Sequence, residues 1–157
     1  MGIWILFSAV IFLSVLQAVF FNDLRIFGAA PDLLFIGVMF LGIYTAPRQG
    51  ISLSVACGVL KDLYGLHQFG NATFLFPLWY LLIRKVSQKI SLESSPVLGA
   101  VIFSSTFINH ILLRLFFIYK GIPVPFFYFV RVAATVAVYN LCLSLVLYRL
   151  FKKIIRK

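Results

Sequence analysis

The chain has 157 residues, 62% hydrophobic and only 11% charged, with a mean hydropathy of +1.06 and a net charge of +10. Soluble domains carry about 25% charged residues, so this composition cannot cover a water-facing exterior and excludes most soluble readings. The basic residues lie mainly at the ends of apolar runs, as the positive-inside rule and anionic headgroups require, which argues against a nucleic-acid partner.

The expected fold class is an all-α integral membrane protein with about six transmembrane helices in a single polytopic domain over residues 1–157. The first segment, residues 3–21, is interrupted only by Ser8, Ser14 and Gln17. At 1.5 Å per residue it spans a hydrocarbon core of about 30 Å, and it is too long for a signal-peptide core. It therefore reads as an uncleaved first helix, ended by Asn22-Asp23-Leu24-Arg25.

Segments two (residues 32–46) and three (residues 50–66) are bracketed by Pro31 and Pro47, with Pro47-Arg48-Gln49-Gly50 read as the turn between them. Segment two covers only ~22 Å, so the pair forms either a thin hairpin across the bilayer or a re-entrant one. Segment four, residues 69–86, contains Pro77 and is open to a kink there. Segment five spans residues 96–119 and segment six residues 126–151, the latter opening on the interfacial aromatic cluster Phe126-Phe127-Tyr128-Phe129.

With the N-terminus inside, the cytoplasmic ends hold nine basic residues: Arg48, Arg84, Lys85, Lys89, Arg149, Lys152, Lys153, Arg156 and Lys157. The outer side holds two, Arg25 and Lys120, so both termini are expected in the cytoplasm. The other three, Lys61, Arg114 and Arg131, lie within segments.

Charged side chains inside a bilayer face a bundle interior, a cavity or a partner. In segment three, Gly50, Ser54, Gly58 and Asp62 recur every four residues, with Gly65 close to the same stripe. Small residues at that spacing admit a neighbouring helix or a docking partner and put Asp62 on the packed face. Lys61, about 100° round the helix, is free to snorkel. Segment five carries Thr106, His110 and Arg114 at four-residue spacing with Asn109 beside them, and segment six supplies Arg131 and Asn140. Helical rise puts Asp62 ~18 Å from the start of segment three, His110 ~21 Å and Arg114 ~27 Å from that of segment five, and Arg131 ~8 Å below the outer end of segment six. The expectation is an outer-leaflet polar cluster of Asp62, Lys61, His110, Arg114 and Arg131, in which Asp62 pairs with Arg114 or Arg131. A structural ion pair is the leading reading of Asp62, ahead of a partner-docking site and then of a proton or substrate relay.

Catalytic signatures such as GxSxG, HExxH or a phosphate-binding glycine-lysine loop do not occur. Four acidic residues leave little scope for a carboxylate pair, and Asp32 reads as a helix cap. Cys57 and Cys142 read as small buried residues, and His67 as a turn residue rather than a metal ligand. No cofactor or metal is expected.

Segments two to four resemble the rod shape-determining protein MreD family. The resemblance rests on Pro31-Asp32-Leu33-Leu34 opening a short helix, on Pro47-Arg48-Gln49-Gly50, and on Gly58, Asp62, Gly65, His67 and Gly70. Total length, about six segments and a basic C-terminal tail also fit, while Lys61 beside the aspartate departs from the family's pattern. The resemblance implies a non-enzymatic component of the bacterial inner membrane, in the elongation machinery that builds lateral cell wall. It implies pairing with MreC, a single-span protein, near the RodA glycosyltransferase and its transpeptidase, with homo-oligomerisation left open. The family's fold resembles the substrate-binding subunits of energy-coupling-factor vitamin transporters, which makes such a subunit the alternative. An unrelated membrane assembly factor is the third reading. The short loop over residues 65–72 leaves little material for the lid of a vitamin pocket, whereas the glycine stripe offers a scaffold an external groove.

Overall fold

A computed structural model describes residues 3–21, 28–64, 70–92, 94–123 and 125–155, through which six α-helices follow in order. They are α1 (Ile3–Leu16), continued by a π-helical stretch (Gln17–Phe21), α2 (Leu33–Tyr44), α3 (Pro47–Tyr64), α4 (Asn71–Lys89), α5 (Ser95–Tyr119) and α6 (Phe126–Ile155). Each apolar segment of the sequence thus becomes one helix. Among them α5 and the Phe126–Arg149 part of α6 are long and apolar enough to cross a membrane.

The clearest boundary correction is at Pro47. Pro47-Arg48-Gln49-Gly50 is not a turn but the first turn of α3, closed by the Gly50 amide on the Ala46 carbonyl at 2.9 Å. Proline suits the first helical position because its missing N–H has no intrahelical partner there. The turn contracts to Thr45 and Ala46, and Thr45 is extended at φ −113° and ψ 155°.

The chain divides into two compact units. The first, Met1–Arg25 with Asp32–Ile90, holds α1 to α4. Its centre is α2, which packs against α1, α3 and α4, and whose residues from Leu33 to Gly42 are buried apart from Gly37. A helix apolar on every side is an interior helix, which explains how 12 residues persist although they are short for a span. Phe35 anchors it, with the Phe76 and Trp79 ring centroids of α4 each 5.8 Å away. At the α1 end the Leu34 amide donates to Gln17 Oε1 at 3.0 Å.

The face of α3 that carries Gly50, Ser54 and Gly58 is turned to α4. The Tyr80 ring fills the notch over Gly50, and a Cβ on Gly58 would stand 2.5 Å from Thr73 Cα and 2.6 Å from the Ala72 carbonyl oxygen. Ser54 is fully buried and donates to the Ile51 carbonyl at 2.8 Å. Such close approach is what small residues provide in membranes, where dispersion and hydrogen bonds, not water exclusion, hold helices together.

The second unit, Ile26–Pro31 with Ser91–Lys157, holds the antiparallel hairpin of α5 and α6. Its buried face is drawn from Leu98, Ile102, Thr106 and Asn109 of α5 and from Ala133, Ala137, Asn140 and Ser144 of α6. Asn140 Nδ2 donates to Thr106 Oγ1 at 3.2 Å, and the Thr106 hydroxyl donates to the Ile102 carbonyl at 2.8 Å.

Candidate functional site

The polar centre of the first unit is the last turn of α3. Asp62 is 3% exposed, and its carboxylate meets the start of α4. Oδ1 accepts the Ala72 amide at 3.0 Å, and Oδ2 accepts the amides of Gly70 at 3.0 Å and Thr73 at 2.9 Å and the Thr73 hydroxyl at 2.6 Å. These amides are the ones a helix leaves unpaired at its N-terminus, where the macrodipole also favours a negative charge. Gly70 opens α4 at φ +93° and has no side chain with which to cap it. Asp62 is therefore a cap supplied from a neighbouring helix.

Lys61 does not simply snorkel: its ammonium forms an ion pair and hydrogen bond with Asp32 Oδ2 and lies 5.3 Å from the Phe76 ring centroid. Asp32 in turn caps α2, accepting the Phe35 amide on Oδ1 at 3.1 Å. Two carboxylates thus meet one ammonium and two helix N-termini. Each N-terminus is equivalent to about half a positive charge, so the ensemble is close to neutral without solvent. A group in this state holds helices well and relays protons poorly, because its lone pairs are already engaged.

The remaining expected residues are placed as follows. His110 lies on α5 with Nδ1 2.9 Å from the Thr106 carbonyl oxygen. The Arg114 guanidinium lies over the rings of Phe126, at 4.8 Å, and Phe129, at 5.0 Å. That of Arg131 lies 5.4 Å over the Tyr128 ring. His110, Arg114 and Arg131 belong to the second unit, and Asp62 and Lys61 to the first. Gly50 and Gly58 are buried against Tyr80 and against Ala72 and Thr73 of α4, and Ser54 is buried between them in sequence on the same face of α3. Gly65, His67 and Arg25 lie outside the described residues, as do Arg156 and Lys157.

One functional candidate escaped the sequence reading. Arg84, read as a cytoplasmic anchor, donates from a guanidinium nitrogen to the Thr45 carbonyl at 2.5 Å, while Tyr80 Oη lies 3.3 Å and 3.2 Å from the carbonyl oxygens of Thr45 and Ala46. These carbonyls end α2, where a cation is favoured. The available signal was a basic residue four positions after a tyrosine on one helix face. Among the described residues, no group of three His, Cys, Asp or Glu side chains is placed to hold a metal ion.

Comparison with known proteins adds one match. The family model described as rod shape-determining protein MreD matches residues 1–157. No curated protein and no solved structure matches the chain. With the whole length covered, the chain belongs to the MreD family, membrane proteins with a role in determining rod shape.

Proposed function

We propose that this chain is a non-catalytic scaffold in the cytoplasmic membrane, pairing with an MreC-like single-span protein to regulate peptidoglycan synthesis in the cell-elongation complex. The single observation that carries the reading is the family match over the full length. The committed polar groups support it: Asp62 and Asp32 serve helix ends, which suits a rigid platform rather than a reaction centre. RodA and the elongation transpeptidase are the proposed neighbours. The proposed topology has six spans with both termini cytoplasmic, supported by the nine-to-two distribution of basic residues. The proposed fold kinship is with the substrate-binding subunits of energy-coupling-factor transporters, but the family match favours the scaffold over a vitamin-binding role.

The test is co-expression with the MreC-like protein of the same organism and co-purification in mild detergent. Stable association with the wild type, reduced in an Asp62→Ala variant that still inserts, is the expected result. No association, together with a small molecule retained by the purified wild type, would replace the scaffold with a transporter subunit.

A further inference from the structure

From residue 94 to the C-terminus the chain has eight basic residues and no acidic side chain. Three of the eight, Arg114, Lys120 and Arg131, sit near the end of the hairpin where α5 stops and α6 starts. Arg114 is the most constrained. Its side chain is half-buried, its guanidinium is held over Phe126 and Phe129, and its Nε is buried with no hydrogen-bond acceptor. A buried charged donor without an acceptor is unfavourable, and from residue 94 onward the sequence supplies no carboxylate side chain for it. The two rings hold the guanidinium at the tip, and its planar fork of donors suits two-point recognition of a phosphate. Arg131, whose guanidinium lies over Tyr128 about half a turn round α6, and Lys120, exposed at the end of α5, surround the same tip with further positive charge.

We propose that the α5–α6 tip is a binding site for the phosphate of an anionic phospholipid, with Arg114 as the residue that holds it and Arg131 and Lys120 as flanking attractors. Charge complementarity selects the ligand: the tip carries cations only, beside the aromatic side chains that settle at headgroup depth. The site belongs to the hairpin alone and stands whichever leaflet the tip occupies.

The full-length protein in mild detergent, offered phosphatidylglycerol or phosphatidylcholine of equal chain length, tests this by native mass spectrometry. Wild type is expected to retain phosphatidylglycerol preferentially. Arg114→Gln is expected to retain about tenfold less, the loss of one charge-assisted contact. Arg114→Lys should fall between the two, because an ammonium keeps the charge without the planar fork. Arg149→Gln, at the opposite end of α6, should match wild type. Equal retention by wild type and a folded Arg114→Gln overturns the proposal. If Arg114→Gln does not fold, retention by Arg114→Lys equal to wild type overturns it, and reduced retention supports it. Displacement of the lipid by millimolar inorganic phosphate would overturn the lipid assignment in favour of a free-anion site.

Discussion

Lys61 and Asp62 are neighbours on the last turn of α3, yet they hold different helices: Lys61 pairs with Asp32 at the start of α2, and Asp62 caps the start of α4. Successive helical residues point about 100° apart, so a dipeptide can address two neighbours at once. The arrangement fixes the α2, α3 and α4 ends at one level, and the consequences can be measured.

Removing the Asp62 charge should be among the most damaging single changes. Asp62→Asn keeps one acceptor oxygen but turns an amide NH₂ toward backbone N–H groups. The expected destabilisation is about 3 kcal/mol, since hydrogen bonds to charged groups contribute about 1.5–3 kcal/mol each and unpaired donors remain. Thermal unfolding in detergent, followed by circular dichroism, reads it. A variant as stable as wild type would show that the α4 amides find other acceptors.

Lys61→Met should destabilise by about 3 kcal/mol, because the buried Asp32 carboxylate loses its partner. Asp32→Asn combined with Lys61→Met should recover part of that loss, since an uncharged pair has no ion to desolvate. Purely additive effects in this double-mutant cycle would mean that the two side chains are independent.

Glycine substitutions separate close approach from open space. Gly58→Ala must push α4 away, because the new methyl meets backbone atoms of Ala72 and Thr73 rather than a movable side chain. The expected cost is about 2 kcal/mol. Gly99→Ala meets Leu141 and Leu145 at 3.7 Å, an ordinary contact, and should stay within about 0.5 kcal/mol of wild type or gain from helix propensity. Equal effects at the two positions would refute the tight α3–α4 crossing.

Arg84→Met should loosen the α2–α3 turn by removing the cation from the Thr45 carbonyl, at a cost of about 1–2 kcal/mol. Faster hydrogen exchange confined to the last turn of α2 and the first of α3 is the expected signature. Exchange unchanged there would assign Arg84 to the membrane surface alone.

Much of the architecture was legible in the sequence because helix length and apolar runs obey simple rules. The six segments became six helices, and four-residue spacing puts Gly50, Ser54, Gly58 and Asp62 on one face of α3. The partners of the charges were not legible. Asp32 lies 29 residues from Lys61, and no periodicity links residues on different helices. Asp62 is met chiefly by backbone amides, which every residue but proline carries, so no side-chain pattern could announce them. Pro47 was misread because the same residue serves turns and helix starts, and only the Gly50 amide on the Ala46 carbonyl decides between them.

The enclosure of α2 has a consequence for biosynthesis. Its covering is complete only when α4 exists, so a chain truncated before Asn71 carries the α2 and α3 segments but lacks the Phe76, Trp79 and Tyr80 side chains that close over them. Cys57, 1% exposed in the finished fold, reports on this. In a released chain truncated after residue 70 and inserted into membranes, its thiol should react readily with a small maleimide. In the full chain carrying Cys142→Ser it should be protected, and equal reactivity in both would mean that α2 and α3 close without α4. The first unit is thus completed late, by its last helix.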